Sequence, residues 1–421
     1  MKTFASALRL AAILCALALA SCGGGGGGNS SGGGTPSGPP SASLGPAQGV
    51  NEALITVGNG PDGPNTKINV PFVSVQVCAP GGGACQTIDH VILDTGSTGL
   101  RIVASALNNR KALKQSLDAT NRPFAECAQF VNGFAWGSVK VADVRMAGEV
   151  ASSVPIQVIG DPDFPNIPTS CSNVGGPMNT VDSFGGNGLL GVDAFRQDCG
   201  RDCANTTIPG AAIPGTYYAC ASGASCVSTP IPLAQQVTHP VSLFGSDNNG
   251  VMIQLPDIST GGDVNVTGLL VFGIGTRNNN APGSAKAFGL DGTGGFTTVI
   301  NGQRYPGSFI DSGSNYFFFN TSQIPTCNVG GTGFYCPASP QSLSAVVQGA
   351  NGANATVDFS IVNASTALSK NRAASAFKNL GAPLQGYPGF DWGLPFFYGR
   401  RVFVALDGAS TPVGTGPYVG F

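Results

Sequence analysis

Charge is scarce in this chain. Only 10% of its 421 residues are Asp, Glu, Lys or Arg, against about 25% in an ordinary soluble protein, and the net charge is −2. No basic cluster is present to neutralise phosphates, so the chain carries no footprint for nucleic acid. Histidine is confined to His90 and His239, and no CxxC pair occurs. That pattern argues against zinc, and no metal or other cofactor is expected. Tryptophan occurs only at Trp136 and Trp392, both read as packing residues, Trp392 as core. A long apolar run is missing too: Leu10–Ala20 falls short of the roughly 20 residues that span a bilayer.

What is present near the N-terminus is an export pattern. Lys2 and Arg9 precede the apolar run, as in a secretory signal. The run ends in Leu19-Ala20-Ser21-Cys22, which resembles a bacterial lipobox and implies lipidation at Cys22. Gly23 to Pro46 is almost entirely Gly, Ser, Pro and Ala, a composition that behaves as a flexible tether. The expectation is a signal and lipidated cysteine over 1–22 and a disordered linker over 23–60. Gly23 rather than Asp after Cys22 favours, by resemblance to Gram-negative lipoproteins, the outer membrane over the inner. The protein is thus read as exported and membrane-anchored, on a periplasmic or cell-surface face.

The remainder, about 370 residues, suffices for two domains of ordinary size. Abundant Gly, Ser, Thr, Val and Phe favour a β-rich fold with many turns. Val139–Met146 alternates with period two, and Leu269–Ile274 and Arg401–Leu406 also read as strands, whereas Ser365–Leu380 is the best candidate for a short helix. Setting aside Cys15 and Cys22, ten of the twelve cysteines remain, an even number in an exported chain. Short spacings pair Cys78–Cys85, Cys199–Cys203, Cys220–Cys226 and Cys327–Cys336 as local loops. Elimination leaves Cys127–Cys171, with the connectivity among Cys127, Cys171, Cys199, Cys203, Cys220 and Cys226 left open by the sequence. Gln197–Ser228, with four cysteines, reads as a stapled insertion.

One long-range echo organises the rest. Val91-Ile92-Leu93-Asp94-Thr95-Gly96-Ser97 is matched by Ser308-Phe309-Ile310-Asp311-Ser312-Gly313-Ser314. Each is an apolar strand followed by an Asp-x-Gly turn. Downstream of each lies an apolar segment around a glycine, Asn187–Val192 after the first and Phe390–Phe397 after the second, where glycine marks close backbone approach. The chain reads as two diverged copies of one unit, over 61–240 and 241–421, with a boundary between about residues 236 and 245.

A lone Asp-Thr-Gly is an ordinary turn, its carboxylate accepting backbone hydrogens. Two copies in matched contexts resemble the pepsin-like aspartic peptidases over roughly residues 65–421. The closing segments Trp392–Asp407 and Val413–Phe421 share that resemblance, and Asp311-Ser312-Gly313-Ser314-Asn315-Tyr316 looks like the plant variant. The resemblance implies an all-β, bilobal double β-barrel with few short helices. It implies Asp94 and Asp311 as the catalytic pair, supported by Thr95, Gly96, Ser97, Ser312, Gly313 and Ser314. Two such carboxylates share one proton; the ionised member takes a proton from water and the other hydrogen-bonds the scissile carbonyl. The implied partner is a polypeptide held extended in a cleft, with the membrane as anchor and the chain a monomer. His90, just before the first motif, could suggest a serine hydrolase, but no nucleophile elbow accompanies it.

The resemblance also has gaps. A flap is expected near Gln129–Trp136, with Phe130 where the family has tyrosine and Gly133 at its turn. Counting from Asp94 puts Arg101 where the family has its hydrogen-bonding tryptophan. No Lys or Arg lies between Cys22 and Lys67, so a basic masking pro-segment is missing. The expected activity is therefore a lipid-anchored aspartic endopeptidase. The alternative is the same fold with a slow or inactive pair, holding peptides at the surface. A purely structural β-sandwich lipoprotein would need the doubled motif to be accidental.

Overall fold

The computed structural model describes residues 41–421 except 59, 62–66, 132, 174, 205–214, 222–224 and 385. The signal-like segment, Cys22 and the linker through residue 40 lie outside the described residues. What is described is all-β with barrel-like sheets. An 18-stranded sheet runs through both halves of the chain, joined by a 7-stranded sheet and two two-stranded ribbons. The longest described α-helix, Ala364–Lys370, has seven residues. Among the described residues no helix is long and apolar enough to cross a membrane.

The alternating stretch at 139–146 lies in the long strand Gly133–Met146, which pairs antiparallel with Phe124–Phe130 on one side and Glu149–Ile159 on the other. Val264–Phe272 and Arg401–Ala405 are also strands, both antiparallel to Gly250–Gln254. All five cysteine pairs form: Cys78–Cys85, Cys127–Cys171, Cys199–Cys203, Cys220–Cys226 and Cys327–Cys336. Cys127–Cys171 fastens the Phe124–Met146 hairpin to the short helix Thr169–Ser172.

Two expectations need correction. The linker does not extend to residue 60, because Glu52–Val57 is a strand. It pairs antiparallel with Val264–Phe272, burying Ile55 and Val57 and linking the two halves. Period-two alternation around Ile55 and Val57 gives this segment a core face that Gly and Ser upstream cannot supply. The expected helix over 365–380 stops at Lys370. Asn363 caps its start by accepting from the Thr366 N–H at 3.0 Å, as capping residues do. Beyond Asn371 the backbone is drawn away to bond elsewhere: Asp263 N–H donates to the Ala376 carbonyl at 2.9 Å and Ser375 N–H to the Asp263 carbonyl at 3.0 Å.

Each Asp motif is built on the same crossing of three strands. In the first half, Cys85–Asp94 leads into the turn and Thr98–Val103 leads out. Gly188–Val192 slots between them, parallel to the former and antiparallel to the latter. In the second half, Gln303–Ile310 leads in and Phe317–Phe318 leads out, with Asp391–Trp392 slotted between in the same senses. The slotted glycines are sterically required. A Cβ on Gly191 would lie 2.6 Å from the Ser97 carbonyl oxygen, and one on Gly393 2.1 Å from that of Tyr316. Trp392 is fully buried, stacked on Phe390 at 4.2 Å, and donates its indole N–H to Thr298 Oγ1 at 2.9 Å. This aromatic packing anchors the second crossing.

Candidate active site

The two crossings bring Asp94 and Asp311 together. Both are fully buried, and each carboxyl lies against the glycine of the other's turn. Each carboxyl is held by its own turn in the same way. Gly96 N–H donates to Asp94 Oδ1 at 2.8 Å and Ser97 Oγ to Asp94 Oδ2. Gly313 N–H donates to Asp311 Oδ1 at 2.8 Å and Ser314 Oγ to Asp311 Oδ2 at 3.0 Å. Spacings of two and three residues make this possible, since a tight turn carries both donors back over the carboxylate.

The residues between are cross-linked. Thr95 N–H donates to Ser312 Oγ at 3.1 Å and Ser312 N–H to Thr95 Oγ1 at 2.9 Å. Thr95 Oγ1 donates onward to the Ile310 carbonyl at 2.9 Å, and Ser312 Oγ to that of Leu93 at 2.8 Å. Four buried polar atoms are thus satisfied across the junction, which sets the separation of the two turns. Either glycine's missing side chain gives the facing acid its room: a Cβ on Gly96 would lie 2.7 Å from Asp311 Oδ2, and one on Gly313 2.7 Å from Asp94 Oδ1.

Burial pushes the Asp311 carboxyl well above the usual aspartate range, and the charges of Asp94 and Asp391 push it further in that direction. Two acids that close hold a proton in common, because ionising both in a dry site is costly. Such a pair can accept a proton and donate one at the same time.

A cleft opens beside the pair, with Thr95, Gly96, Phe309 and Ile310 in its wall. The Phe124–Met146 hairpin reaches it through Val131, which is 41% exposed. Phe130, at the position of the resembling family's flap tyrosine, is buried in the core and meets Phe184 edge-on at 6.0 Å. Phe130 closes its strand and faces the core, whereas Val131 lies beyond it in the turn to Gly133. Gly133 lies against the Gly176 backbone, where a Cβ would stand 2.2 Å from its carbonyl oxygen.

Arg101 takes a role that sequence reasoning missed. It is buried, and its guanidinium donates to Glu126 Oε1 at 2.5 Å, Asp198 Oδ2 at 3.0 Å and the Thr98 carbonyl at 2.6 Å. Tyr217 OH adds a bond to Asp198 Oδ1 at 2.6 Å. Burial works against the Arg101 charge, yet Glu126 and Asp198 outweigh it and hold the proton more firmly. Glu126 belongs to the hairpin strand Phe124–Phe130, so this network ties the hairpin to the strand leaving the Asp94 turn. An acid inside an apolar strand, here Glu126 within Phe124–Phe130, was the available signal.

Asp391 was missed as well. It is fully buried and accepts from Ser314 Oγ at 2.6 Å, which makes it a third acid beside the pair. The signal was an aspartate within an otherwise apolar slotted segment.

Comparison with curated proteins finds no match. Residues 47–421 match the family described as "Protein of unknown function (DUF3443)", which takes in both crossings and the cleft, and the chain belongs to that family.

Proposed function

We propose that this protein is a pepsin-like aspartic endopeptidase, hydrolysing extended peptide segments with apolar side chains. The observation that carries the reading is the mutual arrangement of Asp94 and Asp311 on two matched, cross-linked turns. In the proposed reaction the ionised carboxylate removes a proton from water, whose oxygen bonds to the scissile carbonyl carbon. The protonated carboxyl donates to the carbonyl oxygen, giving a gem-diol. The pair then passes the proton taken from water to the amide nitrogen, the C–N bond breaks as a gem-diol hydroxyl gives its proton back to the pair, and acid and amine leave with the pair again holding one proton. The apolar wall beside Thr95 and Gly96 supports the substrate class.

A second reading is a peptide-binding lipoprotein with an idle pair. It is favoured by the hairpin, which presents Val131 to the cleft and is braced by Arg101 and Cys127–Cys171. Incubating the full chain with an unfolded polypeptide from acid to neutral pH separates the two. Cleavage lost in Asp94→Asn and in Asp311→Asn, by at least about 10²-fold in rate, supports the peptidase. Binding without cleavage at every pH leaves the second reading. Export and lipid anchoring at Cys22 complete the proposal, resting on Leu19-Ala20-Ser21-Cys22 and the Gly-rich segment after it.

A further inference from the structure

The two halves of the site differ at one buried position. The strand slotted into the first half places Leu189 between Ile92 and Arg101. Its counterpart in the second half places Asp391 between Phe309 and Phe318. Each stands two residues before the slotted glycine, and each is fully buried. Packing alone is met by leucine. An acid there costs free energy unless it is partnered or protonated.

The partners of Asp391 are few. Its Oδ2 accepts from Ser314 Oγ at 2.6 Å, and its Oδ1 is buried with no hydrogen-bond partner among the described residues. The same hydroxyl lies 3.0 Å from Asp311 Oδ2. A serine hydroxyl has one hydrogen to give, so Asp311 and Asp391 compete for it. Among the described residues, the titratable groups that interact with Asp391 include the carboxyls of Asp94 and Asp311 and the phenol of Tyr387. All three are acids. Burial pushes the Asp391 carboxyl well above the usual range, with the Ser314 bond opposing and the Asp94 charge adding to it.

We propose that Asp391 is a positioning residue of this site: acting on Asp311 through Ser314, it keeps the proton shared by Asp94 and Asp311 in place as the pH rises. The inference rests on the catalytic reading of that pair. Each ionisation in a cluster of close carboxyls makes the next harder. With two acids the last proton leaves against one negative charge; with Asp391 ionised it leaves against two. Ser314 works in the same direction, because a hydrogen drawn to Asp391 is withheld from Asp311, whose ionised form it would favour. On the acid side Asp391 is neutral and changes little. The working range is therefore widened on its alkaline side only.

The test uses the full chain with Asp391→Asn, which keeps the shape, and Asp391→Leu, which copies the first half. Cleavage of an unfolded polypeptide is followed against pH, each profile normalised to its own optimum. Carbon-13 titration of the aspartate carboxyls is run in parallel. The expected result is an alkaline limb lower by roughly one pH unit or more, with the acid limb unmoved and the Asp311 titration lowered to match. In a Ser314→Ala background the same substitution should move the limb less. Alkaline limbs and Asp311 titrations identical to wild type in a folded variant would overturn the proposal. If neither variant folds, the wild-type titration decides: coupled steps for Asp311 and Asp391 support the inference, and independent single steps refute it. If the wild type cleaves nothing at any pH, the peptidase reading fails, while the Asp311 titration with and without the Asp391 carboxyl still tests the coupling.

Discussion

Thr95 and Ser312 hold each other through a reciprocal pair of hydrogen bonds, each backbone N–H donating to the other's hydroxyl oxygen at 3.1 and 2.9 Å. They lie in different halves of the chain, and each hydroxyl also donates to the strand that carries the opposite aspartate. The separation of Asp94 and Asp311 is therefore set by their neighbours more than by the acids, which repel.

Thr95→Val should leave the Ser312 N–H and the Ile310 carbonyl buried without these partners. A loss of about 1–3 kcal/mol is expected, with a similar loss for Ser312→Ala. In a double-mutant cycle the two should be coupled by roughly 0.5–3 kcal/mol. Denaturant unfolding of the four proteins measures this, and strictly additive losses would show that the cross-link is not a unit.

Asp311→Asn should stabilise the fold while removing the proposed activity. The Asp311 carboxyl is raised in the folded state by burial, then by the Asp94 and Asp391 charges. The folded protein thus binds this proton more tightly than the unfolded chain does. Stability from this group is present in acid and is lost as the pH climbs above about 4, the ordinary aspartate value. Asparagine has no proton to lose. Thermal melts should show a Tm gain of a few degrees near neutrality that shrinks toward pH 4. A gain independent of pH would contradict the assignment.

Arg101→Met should be among the most damaging single substitutions. It leaves Glu126 and Asp198 facing each other in a dry site, and a loss of roughly 3–5 kcal/mol is expected. Adding Glu126→Gln should recover part of it by removing one of the two facing acids. Unfolding measurements on both variants check this; a loss below about 1 kcal/mol would mean that water reaches the network.

Cys22→Ala should move the protein from the membrane fraction to the soluble one with its thermal melt unchanged, as the proposed lipid anchor requires. A variant that stays with the membrane would remove Cys22 as the anchor.

Much of the local architecture was legible beforehand because its causes are local. Asp94 with Gly96 and Ser97, and Asp311 with Gly313 and Ser314, make their turns within four residues, so spacing alone reveals the donors. Disulfides such as Cys78–Cys85 and Cys220–Cys226 close short loops that little else could satisfy. Strand alternation at 139–146 states its own period. Glu52–Val57 escaped notice because a six-residue strand after a Gly-rich tract carries too short a pattern, and its partner Val264–Phe272 is far along the chain.

Composition and spacing by themselves determined the β-rich character, the doubled Asp turns and the local disulfides, since each depends on residues close together along the backbone. Tertiary structure alone decided that Asp94 meets Asp311 and that Asp391 joins them through Ser314. It also decided that Arg101 is buried with Glu126 and Asp198, and that Val131 rather than Phe130 faces the cleft. The physical reason is desolvation. The worth of a charge or a hydrogen bond depends on which distant groups share its dry surroundings, and one-dimensional order does not record that.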